Sequence, residues 1–431
     1  MIPILEDLTG ALIARGEDSI PELVDFLIFK AIENRATDIH IKSVEETCVV
    51  LYRIDGVLIP AARIPETLKS NFFYRLKLIA SLPGYKKREP QDGRIDWIAS
   101  PNFLPELKSL GWNQKEFTFR ASFIPTLFGE SATIRIPDIS CQKFTLEDLG
   151  MSDEIRSAIL KSVSKLEGVL LLTGPASSGK TTTIYSLLKR ILENFQDRLN
   201  VCTLEDPVEI PFPGINQTSL DPVGGLTYAE WLKAVLRQDP NVIVVGEIRD
   251  PETAAISIRA GFTGHLVIST IHCGRAIGVF ERLLNMGIEP YLVASAVNGV
   301  LAQRLIRLAC NTCARWENVD RSDFGFSSEA ISLIPEKERV GAGCVDCLNT
   351  GFRGRTGCFE FLPVTEKIRK GVIKRLDKET LHQIAIKEGL YPLATSAIKA
   401  IEKGLTTIAE VLYFLSENDF TQLNNSSKKR D

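Results

Sequence analysis

The sequence lacks long apolar runs. Its longest, such as Val169 to Leu172, Val242 to Val245 and Val300 to Ala302, stop far short of the roughly 18 residues a spanning helix needs. It lacks an excess of either charge: 51 Lys+Arg stand against 54 Asp+Glu, a formal net charge of −3. Such a balance argues against a chain whose main work is coating duplex nucleic acid, although a local basic groove remains compatible with it. Aromatic residues are only 8%, and no dedicated nucleic-acid module is present, so a base-stacking platform has little to draw on. The N-terminus has neither a basic leader nor an export h-region, so the chain is expected to start and stay in the cytoplasm. No internal repeat is found. What is present is globular usage, 44% apolar and 24% charged over 431 residues, enough for about three domains.

Residues 1–20 show little periodicity and read as a short arm. Pro21 to Asn34 has helical spacing, with Pro21 at an allowed first-turn position. Strand patterns follow at Asp38–Lys42 and Cys48–Ile54, then the turn signal Asp55-Gly56 before Val57-Leu58-Ile59. A helix over about 68–81 and strands near 94–98, 117–123 and 132–136 complete an α+β domain over 21–138. Beyond Pro137 and Asp138 the pattern changes. Gly168–Thr173, Leu199–Leu204, Val242–Val245 and His265–Thr270 are short buried strands alternating with helices, which predicts a parallel sheet covered on both faces. Residues 306–357 are rich in Cys and Gly. Ile368 to Phe414 reads as helical, and 418–431 as a polar, flexible tail.

Between the first of those strands and its helix lies Gly174-Pro175-Ala176-Ser177-Ser178-Gly179-Lys180-Thr181, followed by Thr182. This is the G-x-x-x-x-G-K-[ST] phosphate loop in its proper setting. Backbone N–H groups and the helix N-terminus favour phosphate, Lys180 reaches the β/γ-phosphates, and the Thr181 hydroxyl suits Mg²⁺. The apolar strand Val242–Val245 leads to Glu247, and Thr203-Leu204-Glu205-Asp206-Pro207-Val208-Glu209 is a second acidic strand end. A carboxylate there orients or deprotonates an attacking water; standing alone, the cluster would read as a solvated loop. His265 and His272, two of only four histidines, bracket another strand, and a sheet-end position suits a γ-phosphate sensor.

Nine cysteines are present. Four form the pairs Cys310/Cys313 and Cys344/Cys347, whose spacing fits a tetrahedral, structural zinc site with no open catalytic position. Free buried thiols are the alternative. Cys48, Cys141, Cys202, Cys273 and Cys358 read as small apolar core residues.

Taken in order, these motifs resemble the type II secretion and type IV pilus assembly ATPases over nearly the whole chain after residue 20. Thr37-Asp38-Ile39-His40-Ile41, Tyr52 to Gly56 and Arg88 to Ile95 are similar to the family's N-terminal signatures. Gly174–Thr182, Thr203–Glu209, Leu236–Asp250 and Thr263–His272 resemble its Walker A, Asp box, Walker B and His box, and Gln303-Arg304-Leu305 the link to its metal insert. The resemblance implies an α/β fold with an N-terminal α+β domain, a RecA-like P-loop ATPase core (139–305), a small tetracysteine insert (306–357), C-terminal helices (358–417) and a tail. It implies a hexameric, Mg-dependent ATPase at the inner membrane, peripheral there through a platform protein, using ATP, Mg²⁺ and Zn²⁺ and binding no nucleic acid. Retraction members lack the insert, so its presence favours secretion or extension. Arg94, Arg120 and Arg135 would be solvated strand residues on their own. The resemblance implies that they close over the phosphates with Glu205, Glu247 and His272 as the other catalytic residues. Ala176 and Ser177 stand where the family commonly has Thr and Gly, which predicts a slightly strained or shifted loop. Cys273-Gly274-Arg275 replaces small polar residues ending in Asp. Two other readings are a nucleic-acid translocase on the same core and an inactive nucleotide-binding scaffold.

Overall fold

The computed structural model describes residues 3–112, 116–137, 143–196, 198–208, 210–220, 225–321 and 324–420, with side chains from Thr9 onward. Asp138, where the sequence pattern changes, Cys141, Glu209 and tail residues 421–431 lie outside that set. The chain divides into two compact units, Met1–Ser140 and Cys141–Asp431.

The first unit opens with helices α1 (Pro3–Ala14) and α2 (Ile20–Glu33). The short arm expected over 1–20 is thus largely helical. The signal was weak because, among the described side chains of α1 (9–14), Thr9 and Leu12 alone are buried, while the Ser19 hydroxyl clamps the turn by donating to the Leu12 and Gly16 carbonyls. Strands β1 (Ala36–Val44), β2 (Thr47–Ile54) and β3 (Val57–Pro65) lead to helix α3 (Glu66–Ile79). Strand β4 (Gln91–Ile98), helix α4 (Leu104–Ser109), and strands β5 (Glu116–Thr126) and β6 (Gly129–Arg135) follow. The strands form one antiparallel sheet in the order β3-β2-β1-β6-β5-β4. Its inner face follows the period-two alternation of the sequence: Val50 and Tyr52 of β2 and Phe119 and Phe123 of β5 are buried, as are Leu23, Leu27 and Ala31 of α2. The buried Tyr52 hydroxyl donates to the Leu27 carbonyl at 2.7 Å, pinning sheet to helix.

The second unit begins with α5 (Asp153–Val163), strand β7 (Gly168–Thr173) and α6 (Lys180–Asn194). Then come β8 (Val201–Glu205), β9 (Asn216–Ser219), α7 (Tyr228–Leu236), β10 (Val242–Val245), α8 (Pro251–Phe262) and β11 (Leu266–Ile271). Helices α9 (Gly278–Asn285) and α10 (Pro290–Ala296) precede β12 (Val297–Ala309), β13 (Ala314–Asn318), α11 (Ser328–Ser332), β14 (Lys337–Gly341) and β15 (Phe352–Pro363). Helices α12 (Glu366–Ile373), α13 (Lys378–Lys387), α14 (Leu393–Glu402) and α15 (Ile408–Leu412) close the unit. The sheet order is β15-β12-β7-β11-β10-β8-β9. Val169 and Leu171 of β7 pack into one core with α7 to α10, while Leu170 and Leu172 pack into the opposite one with α5 and α6. Both faces are thus covered, as a run of unbroken apolar strands requires.

Two boundaries differ from expectation. The sheet is not purely parallel: β12 pairs with β15 in antiparallel register. Residues 358–363 are accordingly the second half of β15, not the start of a helical region. The cysteine-bearing segment is also not a free-standing domain. Ile306, Val319, Ala330 and Ile334 share one buried cluster with Leu393, Ala397, Ile401, Val411 and Phe420, so the last helices are its other wall. Weakly patterned strands such as β9, β13 and β14 went unread because their residues are mostly exposed or half-buried and carry no apolar alternation.

Candidate functional site

In a parallel sheet the strands' C-terminal ends lie at one edge, and loops leaving that edge meet there. The loop after β7 holds residues 174–179. Gly174 has φ +149°, and a Cβ there would sit 2.4 Å from the Gln303 backbone oxygen, so only glycine fits. Ser177 takes φ +57°. Serine here holds a left-handed backbone conformation, at a local cost of about 1–2 kcal/mol. Gly179, at φ +86°, precedes the first helical residue, Lys180. Pro175, Ala176, Ser177 and Thr181 are exposed along the rim, with Thr181 in the first turn of α6.

Lys180 Nζ donates to the carbonyls of Gly174 at 3.0 Å and Pro175 at 2.7 Å, closing the loop on itself. Burial pulls its ammonium below the ordinary lysine range, Glu247 raises it again, and Arg304 lowers it further. Arg304 is itself held below the ordinary arginine range by burial and by Arg275. A half-buried ammonium lowered by burial and by a neighbouring guanidinium is relieved by an anion, which is the electrostatic demand a phosphate meets.

Glu247 follows β10 and joins this group. Its Oε1 lies 2.9 Å from His272 Nε2, and its Oε2 accepts from Arg249 Nε at 2.7 Å. His272, just past β11, places Nδ1 3.2 Å from the Gly174 carbonyl oxygen. One imidazole therefore spans the 174–179 loop and the strand-end carboxylate. Thr173 fixes the segment after His272, because its hydroxyl both donates to the Cys273 carbonyl and accepts from the Cys273 N–H, at 2.8 Å each. Cys273 is thus half-buried beside the loop, whereas Cys48, Cys202 and Cys358 are buried core residues.

Glu205, at the end of β8, faces inward. Its Oε2 accepts from the Tyr185 hydroxyl at 2.7 Å, and its Oε1 from Thr203 at 2.7 Å and Gln217 at 3.1 Å. Its neighbour Asp206 faces Arg249 at 3.4 Å. His265 does not reach the site. It precedes β11 and contacts the Ala260 carbonyl at 3.2 Å, a strand's length of roughly 17 Å from the loop edge. Arg275 instead pairs with Glu360 at 3.2 Å and with Asp419, tying the segment after His272 to β15 and the chain's last described residues.

In the first unit, strand register gathers the three arginines. Arg94 lies opposite Arg120, and Arg120 opposite Arg135. Asp38 on β1 lies opposite Arg135 and Arg53 opposite Asp38, so one rank crosses five strands on the sheet's outer face. Asp38 pairs with Arg135 at 3.2 Å and Arg53 at 3.8 Å, and Arg94 with Asp96 at 3.4 Å. Among the described residues Arg120 has no carboxylate partner. Like charges in facing register are unfavourable unless an anion lies across them. Sequence reading missed Arg53 as part of this rank; its signal was alternation in phase with Asp38.

The four cysteines come together. Sγ separations are 3.8 Å for Cys310/Cys344, 3.8 Å for Cys313/Cys347 and 3.7 Å for Cys344/Cys347. A tetrahedron of sulfurs 2.3 Å from a central zinc has edges of about 3.8 Å, so the four thiols fit that ion. The Cys344 N–H points at Cys347 Sγ at 3.1 Å. Burial pushes the Cys310 thiol up, but N–H groups of Cys313 and Thr312 and the neighbouring thiols outweigh it and bring the group to about 7. Close glycine turns shape the knuckle: a Cβ on Gly341 would stand 2.1 Å from the Gly351 oxygen.

The family model described as "Type II/IV secretion system protein" matches residues 14–413. A type IV pilus assembly ATPase PilB of Myxococcus xanthus is 41% identical over 405 residues, 93% of this chain and 69% of that protein. A type II secretion system protein E of Pseudomonas aeruginosa is 36% identical over 425 residues, 95% of this chain and 81% of that one. Among solved structures, the Yersinia pseudotuberculosis ATPase DotB superposes with a TM-score of 0.66 at 19% identity, over 94% of each chain. The pilus retraction motor PilT with bound ADP gives 0.58 at 23% identity, over 91% of this chain and 96% of that one. These two likenesses establish the fold.

Proposed function

Because this chain belongs to the type II/IV secretion system protein family, we propose that it is an ATP-hydrolysing motor for type II secretion or type IV pilus assembly. The observation that carries the reading is the meeting of Lys180, Glu247 and His272 around the 174–179 loop at one sheet edge. Loop amides and Lys180 hold the β/γ-phosphates. Thr181, with Glu247, would hold Mg²⁺, which would neutralise phosphate charge. Glu205 and Glu247 supply the carboxylates that orient or deprotonate water, and His272 reports the γ-phosphate side to the loop. Two half-buried cations and a helix N-terminus cover one side of the phosphates. The arginine rank of Arg94, Arg120 and Arg135 would supply the far side when the units close, and closure set by ring neighbours would gate hydrolysis in a hexamer.

No helix among the described residues is long and apolar enough to cross a membrane. In this reading the chain works in the cytoplasm, docked at the inner membrane on a polytopic platform protein, and binds no nucleic acid. Cys310, Cys313, Cys344 and Cys347 hold a structural zinc. The test is turnover: Lys180→Ala should abolish ATP hydrolysis and weaken binding, and Glu247→Gln should bind ATP yet turn it over poorly. Wild-type hydrolysis by Lys180→Ala refutes the motor assignment.

A further inference from the structure

Beneath the phosphate loop, β12 runs parallel to β7 as far as the pair Ala302/Thr173. The next residue is Gln303, only 2% exposed. Its Nε2 donates to the Ser178 carbonyl at 2.6 Å. Its own carbonyl oxygen is the atom that forbids a Cβ at Gly174, and its Nε2 would lie 3.3 Å from a Cβ on Gly179. One buried residue thus meets the start of the loop with its backbone and the middle and end with its side chain. Its Oε1 is buried with no hydrogen-bond partner. The amide is oriented by a single demand, that a donor face the Ser178 carbonyl, and the unmatched oxygen is the cost of meeting it.

A trans peptide points its C=O and N–H in opposite directions. With the Ser178 carbonyl held down toward Gln303, the Gly179 N–H must point up, into the cradle where phosphate oxygens collect. Glycine at 179 cannot hold that peptide by itself, because it rotates more freely than any other residue. We propose that Gln303 is a positioning residue of the nucleotide site, which locks the 178–179 peptide so that the Gly179 amide faces the phosphates. This rests on the 174–181 loop being a phosphate site. Gln303 never touches nucleotide. It acts on ground state and transition state alike, so its loss raises KM without lowering kcat.

The test uses the full chain with Gln303→Met, which keeps length but removes the donor, and Gln303→Leu, which has neither donor nor acceptor at any pH. A hydrogen bond to a charged phosphate that is no longer held should weaken ATP and ADP binding about tenfold. The expected result is a KM for ATP raised about tenfold, kcat within about twofold, and unchanged melting and zinc content. By hydrogen exchange, saturating ADP should protect segment 174–182 less in either variant than in the wild type. Unchanged KM in both variants overturns the proposal, and so does a fall in kcat together with the melting midpoint, which marks a merely structural role. Should Gln303→Met fail to fold, Gln303→Leu decides. Lys180→Ala run alongside separates the two failures: wild-type binding there removes the phosphate site itself, whereas a Lys180→Ala defect beside normal Gln303 variants removes only the positioning role.

Discussion

Replacing Arg120 by glutamine should stabilise the first unit and disable the enzyme in one step. Arg120 faces Arg94 on one side and Arg135 on the other, and among the described residues it has no carboxylate partner. Like charges in directly opposed strand positions cost roughly 0.2–1 kcal/mol each. The site is solvent-exposed, and Asp38 already offsets part of the Arg135 charge, so the low end applies to both neighbours. Arg120→Gln should gain about 0.5 kcal/mol, or roughly a twofold slowing of amide exchange along β5 and β6 in the full chain. At about 1 M salt the Debye length falls to about 3 Å, and the gain should vanish. Turnover should fall by about 10³-fold or more, since a cation supplied to the transition state is typically worth that much, with ATP affinity changed far less. The assay pairs hydrogen exchange at low and high salt with phosphate release measured against protein concentration. Faster exchange in Arg120→Gln, or normal turnover, refutes the reasoning.

Purified protein should carry about one zinc per chain, and Cys310→Ser with Cys313→Ser should lose it and loosen the 310–358 segment; full metal retention by mass spectrometry contradicts the S₄ site. Glu205→Gln should slow hydrolysis and also weaken the Tyr185–Thr203–Gln217 network, so its melting midpoint should drop where that of Glu247→Gln does not. ATPase rate per chain should rise with concentration as rings form, and a monomer at full specific activity by light scattering removes the gating step. Burial holds His40 below its ordinary 6.5, with Arg53, Lys42 and Arg135 adding to the lowering and Asp38 opposing it. The unfolded chain therefore takes up a proton first: stability is complete above about pH 6.5 and is lost as pH falls toward the depressed folded value. Denaturant unfolding between pH 7.5 and 5.5 should lose less in His40→Gln than in the wild type, and equal losses refute it.

The 174–181 loop, the strand-end acids and the cysteine quartet were legible as clusters because each is local: spacing fixes the residues, and a turn or strand end fixes their direction. Arg94, Arg120 and Arg135 needed register, a property of three strands, to become a rank. Glu205 and Glu247 read alike in sequence, as acids ending apolar strands. Only tertiary packing turns one toward Tyr185 and leaves the other beside His272. His265 and His272 bracket the same strand symmetrically, yet strand direction puts only one at the working edge. Gln303 was visible solely as part of a family-like string, since a buried amide has no pattern of its own until its acceptor, 125 residues earlier, is placed.

The sheet order has a consequence for how the protein is made. The strand that precedes the phosphate loop, β7, lies between β11 and β12, both of which leave the ribosome much later. Thr173 meets Cys273 across 100 residues, and Ser178 meets Gln303 across 125. At about 5–20 residues per second, roughly 6–25 s separate synthesis of the loop from arrival of its floor. During that interval β7, apolar from Val169 to Leu172, lacks one of its two flanking strands, the kind of edge that chaperones cover and aggregates recruit. A nascent chain thus carries the 174–181 motif long before it has the residue that underlies it, and a chain ending between β11 and β12 lacks Gln303 altogether.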